Sequence, residues 1–184
     1  PSRIALADLN GDGKQDITVL NSNADNIGIL LNSGSLNFQA QSTYSFSASQ
    51  GPTDIAVAKI TADTIYDLLV TLSIGDKVAL FVGNGNGTFQ SPVYYTVDNS
   101  PEEVVSADFN HDGANDIATV NSRSGNVTVI LNNNAFVQAL GSTTICQGDS
   151  LQLQASGGFT YLWSTGQRSA TIWVSQAGTY TASV

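Results

Sequence analysis

Two stretches of this sequence carry residue types and spacings that can do chemistry. Asp8-Leu-Asn10-Gly-Asp12-Gly13-Lys14-Gln-Asp16 returns as Asp108-Phe-Asn110-His-Asp112-Gly113-Ala114-Asn-Asp116. Counted from the first Asp, side-chain oxygens fall at positions one, three, five and nine, and glycine falls at six. Position seven, Lys14 or Ala114, offers a backbone carbonyl. Ca²⁺ takes about 6–8 hard oxygen ligands, and alternate loop residues turn their oxygens inward around it while a glycine makes the sharp turn. The expected ligands are therefore Asp8, Asn10, Asp12, Lys14 (through its carbonyl) and Asp16, then Asp108, Asn110, Asp112, Ala114 (through its carbonyl) and Asp116. Compact octahedral Mg²⁺ suits such a loop less well. The loop is not an EF-hand, because position twelve holds Val19 or Thr119 in place of a bidentate Glu. The competing reading is that Asx-rich turns cap their own backbone. Against it, three carboxylates so close together repel one another without a cation.

A third copy serves as an internal control. Lys59-Ile-Thr61-Ala-Asp63-Thr64-Ile-Tyr-Asp67 has Lys in place of the first carboxylate and Thr in place of the glycine. No ion is expected there. The Lys59 ammonium either takes the ion's place beside Asp63 or Asp67, or points to solvent.

Catalytic constellations are poor. The one His, His111, sits at loop position four, where side chains face outward, and has no evident Ser or Cys partner. Glu102-Glu103 reads as a solvated strand edge. The Gly83–Gly87 run lacks the Lys-Ser/Thr and the helix of a phosphate loop. The sequence points to no enzyme.

The elements that must position the two loops are legible as repeats. Pro1-Ser-Arg-Ile-Ala-Leu-Ala-Asp8 aligns with the segments that begin at Pro52 and Pro101, and Asn26–Asn32 aligns with Lys77–Gly83 and Asn126–Asn132. Short β-branched runs alternate with Gly, Asn, Asp and Ser clusters, the signature of strands and turns. In the second repeat the strands are expected near 53–59, 67–73, 77–83 and 90–97. Four strands in about 50 residues match one propeller blade, which needs neighbours to bury its faces. The third repeat stops after its third strand, near Leu131.

The pattern I-A-x-A-D-x-N-x-D-G-x-x-D-I, then V-x-V-L-L-N and G-x-G-T-F, resembles the FG-GAP or VCBS repeat. The resemblance implies an all-β fold: a partial β-propeller of about three four-stranded blades over residues 1–138 (repeats 1–51, 52–100 and 101–138). It also implies that the ions are structural and lie between the first two strands of a blade. A full ring in this family usually has seven blades, so residues 1–136 are expected to be the last three of a larger ring. Other blades of the same protein, or other copies of the chain, would then be partners. The chain begins in mid-pattern at Pro1, which reads as a fragment or a processed piece.

Residues 139–184 change character. Cys146-Gln-Gly-Asp-Ser-Leu151, Tyr161-Leu-Trp163-Ser-Thr-Gly166 and Gly178-Thr-Tyr180 resemble a bacterial Ig-like or PKD-like module, implying a small β-sandwich. Trp163 and Tyr180 are expected in its core rather than as a sugar-stacking pair. Cys146 is expected to lack a disulfide partner within these residues.

The chain has 184 residues, with 15 acids against 6 bases, a net charge of −9 and no Met. Such acidity argues against a nucleic-acid partner, and no apolar run is long enough to span a bilayer. Six of the acids lie in the two loops; without them the balance is nine to six. Composition and resemblance together imply an extracellular or cell-surface, secreted bacterial protein. Its expected role is adhesion, or binding of a protein or glycan ligand. The alternatives are a structural spacer or fibre component, and a non-catalytic part of a polysaccharide-active enzyme.

Overall fold

A computed structural model describes residues 1–35, 37–46, 49–61, 63–132, 136–144, 146, 148–156 and 162–183. The described residues are almost wholly strand and turn, with one turn of 3₁₀ helix at Ser22–Ala24. Among them no helix is long and apolar enough to cross a membrane. The chain divides into two units: residues 1–109 with 115–131, and residues 110–114 with 132–184.

The first unit holds three antiparallel sheets, one per repeat. The first contains β1 (Arg3–Ala7), β2 (Asp16–Asn21) and β3 (Asn26–Leu30). A small hairpin, β4 (Asn32–Gly34) and β5 (Asn37–Phe38), leads to the outer strand β6 (Ser42–Ser45). The second sheet is built from β7 (Pro52–Ala58), β8 (Asp67–Leu72), β9 (Lys77–Phe81) and β10 (Val93–Thr96). The third has β11 (Pro101–Ala107), β12 (Asp116–Asn121) and β13 (Asn126–Ile130). Strand order follows chain order in all three. The expected four strands of the second repeat are present, the last shorter than anticipated. Gly83 and Phe89 bridge across a turn, so the chain re-enters the sheet only at Val93.

Side-chain alternation along the strands sorts residues to two faces. Leu68, Val70 and Phe81 of the second sheet meet Leu20, Ile27, Ile29 and Phe46 of the first in one core. Leu69, Val78 and Leu80 point the other way and meet Val104 and Ile117 of the third. The middle sheet is thus covered on both faces. This explains why β8 reads Asp-Leu-Leu-Val-Thr-Leu, a continuous run buried at every residue, rather than an alternating one. Aromatic edges reinforce the first core: Tyr44 and Phe46 meet Phe81 edge-on, and Tyr44 also meets Phe89.

The second unit contains β14 (Phe136–Ala139), β15 (Leu151–Ser156), β16 (Leu162–Trp163), β17 (Thr171–Val174) and β18 (Ala182–Ser183). β14, β15 and β17 form one antiparallel sheet, and β16 pairs with β18. Leu153, Ala155, Ile172, Val174 and Trp163 share a core, with Tyr180 packed against it. Trp163 is 1% exposed and its indole N–H donates to the Ser169 carbonyl at 2.8 Å, so it is a satisfied core aromatic. Cys146 is a free, exposed thiol.

Candidate metal centre

Each acidic loop connects the first and second strands of its sheet. Pairing puts Ala7 opposite Asp16, Ala58 opposite Asp67 and Ala107 opposite Asp116. The ninth-position Asp therefore opens the second strand directly across from the residue that ends the first. Its side chain is fully buried in all three repeats.

Within the first loop, oxygens and N–H groups satisfy one another. Asp8 Oδ1 accepts from the N–H groups of Gly11 (2.8 Å) and Asp12 (3.0 Å), and its Oδ2 accepts from Gly13 N–H (2.7 Å). Asn10 Oδ1 accepts from Asp12 N–H at 3.1 Å. Asp12 Oδ1 accepts from Lys14 N–H (2.9 Å), while its Oδ2 takes the Lys14 ammonium (2.9 Å) and the Asn10 amide (3.3 Å). The Lys14 ammonium, and next the Lys14 N–H, hold the Asp12 carboxyl below the usual carboxylate range. Gly11 and Gly13 take left-handed φ of 75° and 81°. The bend expected at position six is there, with a second at position four.

Asp16 does something different. Its Oδ2 accepts from Leu9 N–H at 2.8 Å and its Oδ1 from Asn32 N–H at 2.7 Å. One carboxylate thus ties the start of the loop to the turn that follows the third strand. Asp67 repeats this in the middle repeat: Oδ2 accepts from the N–H groups of Ile60 and Thr61 and from the Thr61 hydroxyl, and Oδ1 from Gly83 N–H at 2.9 Å. Asp116 Oδ2 accepts from Phe109 N–H at 2.9 Å. This backbone strap is a role that reasoning from ligand spacing missed. The signal was in the sequence, because Asp67 persists where the rest of the pattern fails.

In the second acidic loop, residues Asn110–Ala114 show the same short-range bonding as the first. Asp112 N–H donates to Asn110 Oδ1 at 3.0 Å, and Ala114 N–H to Asp112 Oδ1 at 2.9 Å. His111 occupies the left-handed position held by Gly11, with φ 62°, and is exposed. Asp108 and Asp116 belong to the first unit.

Lys59 makes no ion pair with Asp63 or Asp67 and is exposed, the second of its two expected places. Its Nζ lies 4.9 Å from the ring centroid of Tyr66, a cation–π contact. Asp67 is already filled by N–H groups, and Asp63 Oδ1 accepts from Ile65 N–H and the Thr61 hydroxyl. Lys59 and Tyr66, with Asp8 and Gly11, line a cleft of about 270 Å³ between the first two loops.

Among the described residues no three of His, Cys, Asp and Glu converge as a preformed metal cluster. The first loop nonetheless offers the donor chemistry of a hard divalent cation: two carboxylates and an amide oxygen within five residues, in an oxygen-only set. To bind an ion, Asp8 and Asp12 would exchange bonds from N–H and ammonium groups for bonds to the metal. The residues fit calcium in kind, with Lys14 as a built-in competitor at Asp12.

Residues 8–70 and 61–119 each match the model of the FG-GAP-like repeat. No curated protein matches the sequence. The matched segments span the acidic loops and strands of all three sheets and more than half of the chain, which therefore belongs to the FG-GAP-like repeat family.

Proposed function

We propose that this chain is a non-catalytic, calcium-stabilised binding module of an extracellular or cell-surface protein, acting in adhesion or in recognition of a protein or glycan. The carrying observation is three family repeats folded as face-packed sheets, two of which bear the oxygen-rich loop at the same strand connection. Repeats of this family occur in extracellular adhesion and ligand-binding proteins and are typically non-catalytic. In this reading the sheets are blades of a β-propeller, and the second unit is an Ig-like module that follows them. Asp8, Asn10, Asp12 and Asp16, with the Lys14 carbonyl, hold one Ca²⁺; Asp108, Asn110, Asp112 and Asp116, with the Ala114 carbonyl, hold another. The ion contributes fixed positive charge where carboxylates crowd, and so rigidifies the strand connection.

Calorimetric titration of chelator-stripped protein with Ca²⁺ and Mg²⁺ tests the ion sites. Saturable heat with Ca²⁺, lost when Asp12→Ala and Asp112→Ala are combined, is expected. Absence of Ca²⁺ heat in the unsubstituted protein refutes them. A glycan and protein array then tests recognition, with calcium-dependent retention of specific ligands as the expected outcome. Fibre formation without retention would favour a spacer instead.

A further inference from the structure

The two tryptophans of the chain have opposite fates within the second unit. Trp163 is 1% exposed, whereas Trp173, on β17, is 63% exposed. Alternation explains the difference: Ile172 and Val174 turn into the core, so Trp173 between them turns out. A single exposed apolar side chain is ordinary. What stands around Trp173 therefore decides what it can do.

Strand pairing supplies those neighbours. Leu153 and Ala155 of β15 enter the core, which leaves Gln152 and Gln154 on the outer face with Trp173. Gln152 stands directly opposite Trp173, and Gln154 stands opposite Thr171 on one side and Gln138 of β14 on the other. Leu140 N–H donates to the Gln152 carbonyl, so exposed Leu140 extends the row of Gln152 and Trp173. With strands about 4.8 Å apart and a rise of about 3.4 Å per residue, these two rows form a platform of roughly 10 by 7 Å. None of its six side chains carries a charge. Gln138 Nε2 donates to Gln154 Oε1 at 2.9 Å. That bond leaves Gln138 Oε1, Gln154 Nε2 and both polar atoms of Gln152 with capacity for a ligand.

A cleft of about 560 Å³ adjoins this platform. Trp173 and Gln152 form part of its wall, together with Ser142, Thr144, Asp149 and Ser150. The volume falls in the range of small-molecule sites, about 300–1,000 Å³. Chemistry then selects the occupant. A pyranose ring has C–H faces and a rim of hydroxyls. The electron-rich indole face attracts the C–H groups, while amides and hydroxyls donate to and accept from the rim. A protein partner needs about 800 Å² on each side, far more than this platform offers. The Asp149 carboxylate in the cleft works against acidic sugars.

We propose that the outer face of β14, β15 and β17, with the adjoining cleft, binds a neutral glycan. One sugar ring stacks on Trp173, and its hydroxyls bond to Gln152 and Gln154. The site lies wholly within the second unit. It deepens the recognition reading given under the proposed function and rests on it, but it needs neither acidic loop.

Affinity electrophoresis of the whole chain in excess chelator is the test, through gels containing soluble β-glucan, xylan, galactomannan or acidic alginate. At least one neutral polysaccharide should retard the chain, and alginate should not. Trp173→Ala should weaken that retention about tenfold or more, and Gln152→Ala about fivefold. Tyr94→Ala, at an exposed aromatic of the first unit, should change nothing. The retained polysaccharide should also shield the chain's fluorescence from acrylamide. In Trp173→Phe the remaining emission comes from buried Trp163, which should not respond and reports an intact core. Retention undiminished in Trp173→Ala overturns this site and assigns glycan recognition to another part of the chain. Retention by alginate alone overturns the neutral class. No retention in any gel overturns the site as well, and specific protein capture on the array would then leave the wider recognition reading standing without it.

Discussion

Asp16, Asp67 and Asp116 show that a residue placed in a ligand pattern can also serve as an acceptor for backbone N–H groups. Asp67 is buried, stands in a loop without the metal pattern, and satisfies N–H groups from two separate segments. An orphaned buried N–H costs about 1–3 kcal/mol. Asp67→Ala should thus destabilise the first unit by about 2–5 kcal/mol, measured by denaturant unfolding in excess chelator. Asp12→Ala removes only exposed loop bonds and should leave the unfolding midpoint nearly unchanged under the same conditions. Equal effects would mean that the two residues share one role. Asp12 also has a signature in pH. Because its folded pKa is depressed by Lys14, the Asp12–Lys14 contact favours the folded state above the ordinary carboxylate range and fades as pH falls through the lowered value. In calcium-free protein, Lys14→Ala should move the Asp12 titration, followed by NMR, up toward that range, while the N–H of residue 14 and the Asn10 amide still hold it down. His111 gives a third reading at this scale. A non-glycine residue in the left-handed region costs about 1–2 kcal/mol, partly offset by the entropy glycine loses on folding. His111→Gly should therefore stabilise the loop by about 0.5–1 kcal/mol.

Among the elements, burial rather than sequence similarity separates equivalent strands. β3 and β13 have nearly the same alternation, yet Ile27 is fully buried and Val127 is 60% exposed. Ile27→Ala should cost about 2–5 kcal/mol, while Val127→Ala stays within about 0.5 kcal/mol; paired denaturation curves decide this. The turn at Gly83–Phe89 is fixed by its neighbour as well. Gly87 has φ 80°, its N–H donates to the Leu9 carbonyl, and a Cβ there would lie 2.6 Å from the Leu31 methyls. Phe89 N–H donates to the Tyr44 hydroxyl. The glycine of the turn thus serves close approach between sheets, a role that the local pattern alone cannot reveal. Strand positions were legible because period-two alternation and Asx/Gly turns are local signals. Which face each strand would leave open was not legible, since alternation reads the same whether or not a neighbouring sheet arrives. The ligand pattern was readable as donor chemistry, but the strap at Asp16 and the Lys14–Asp12 pair depend on bonds to Asn32 and on a rotamer that spacing does not encode.

For the molecule as a whole, the question is what balances a formal charge of −9 with so few bases. The structure supplies two ion pairs among the described residues, Arg3–Asp54 and Lys14–Asp12. Loop carboxylates are otherwise quieted by N–H groups, which carry only partial charge. If two Ca²⁺ bind, the net charge falls to −5. At free Ca²⁺ about 100 times the dissociation constant, mass action adds about 2.7 kcal/mol per site. For a chain of this length that corresponds to a Tm rise on the order of 10–20 °C for two sites. Calorimetric scans with saturating Ca²⁺ and with excess chelator should differ by that amount. Raising NaCl in the chelated sample should recover only a small part, because screening weakens carboxylate repulsion without supplying ligand bonds. Full recovery by NaCl would mean that the acidity acts through general repulsion and that the loops need no specific cation. Scans that coincide in chelator and in Ca²⁺ would leave the N–H network of Asp8 and Asp12 as the complete account of these loops.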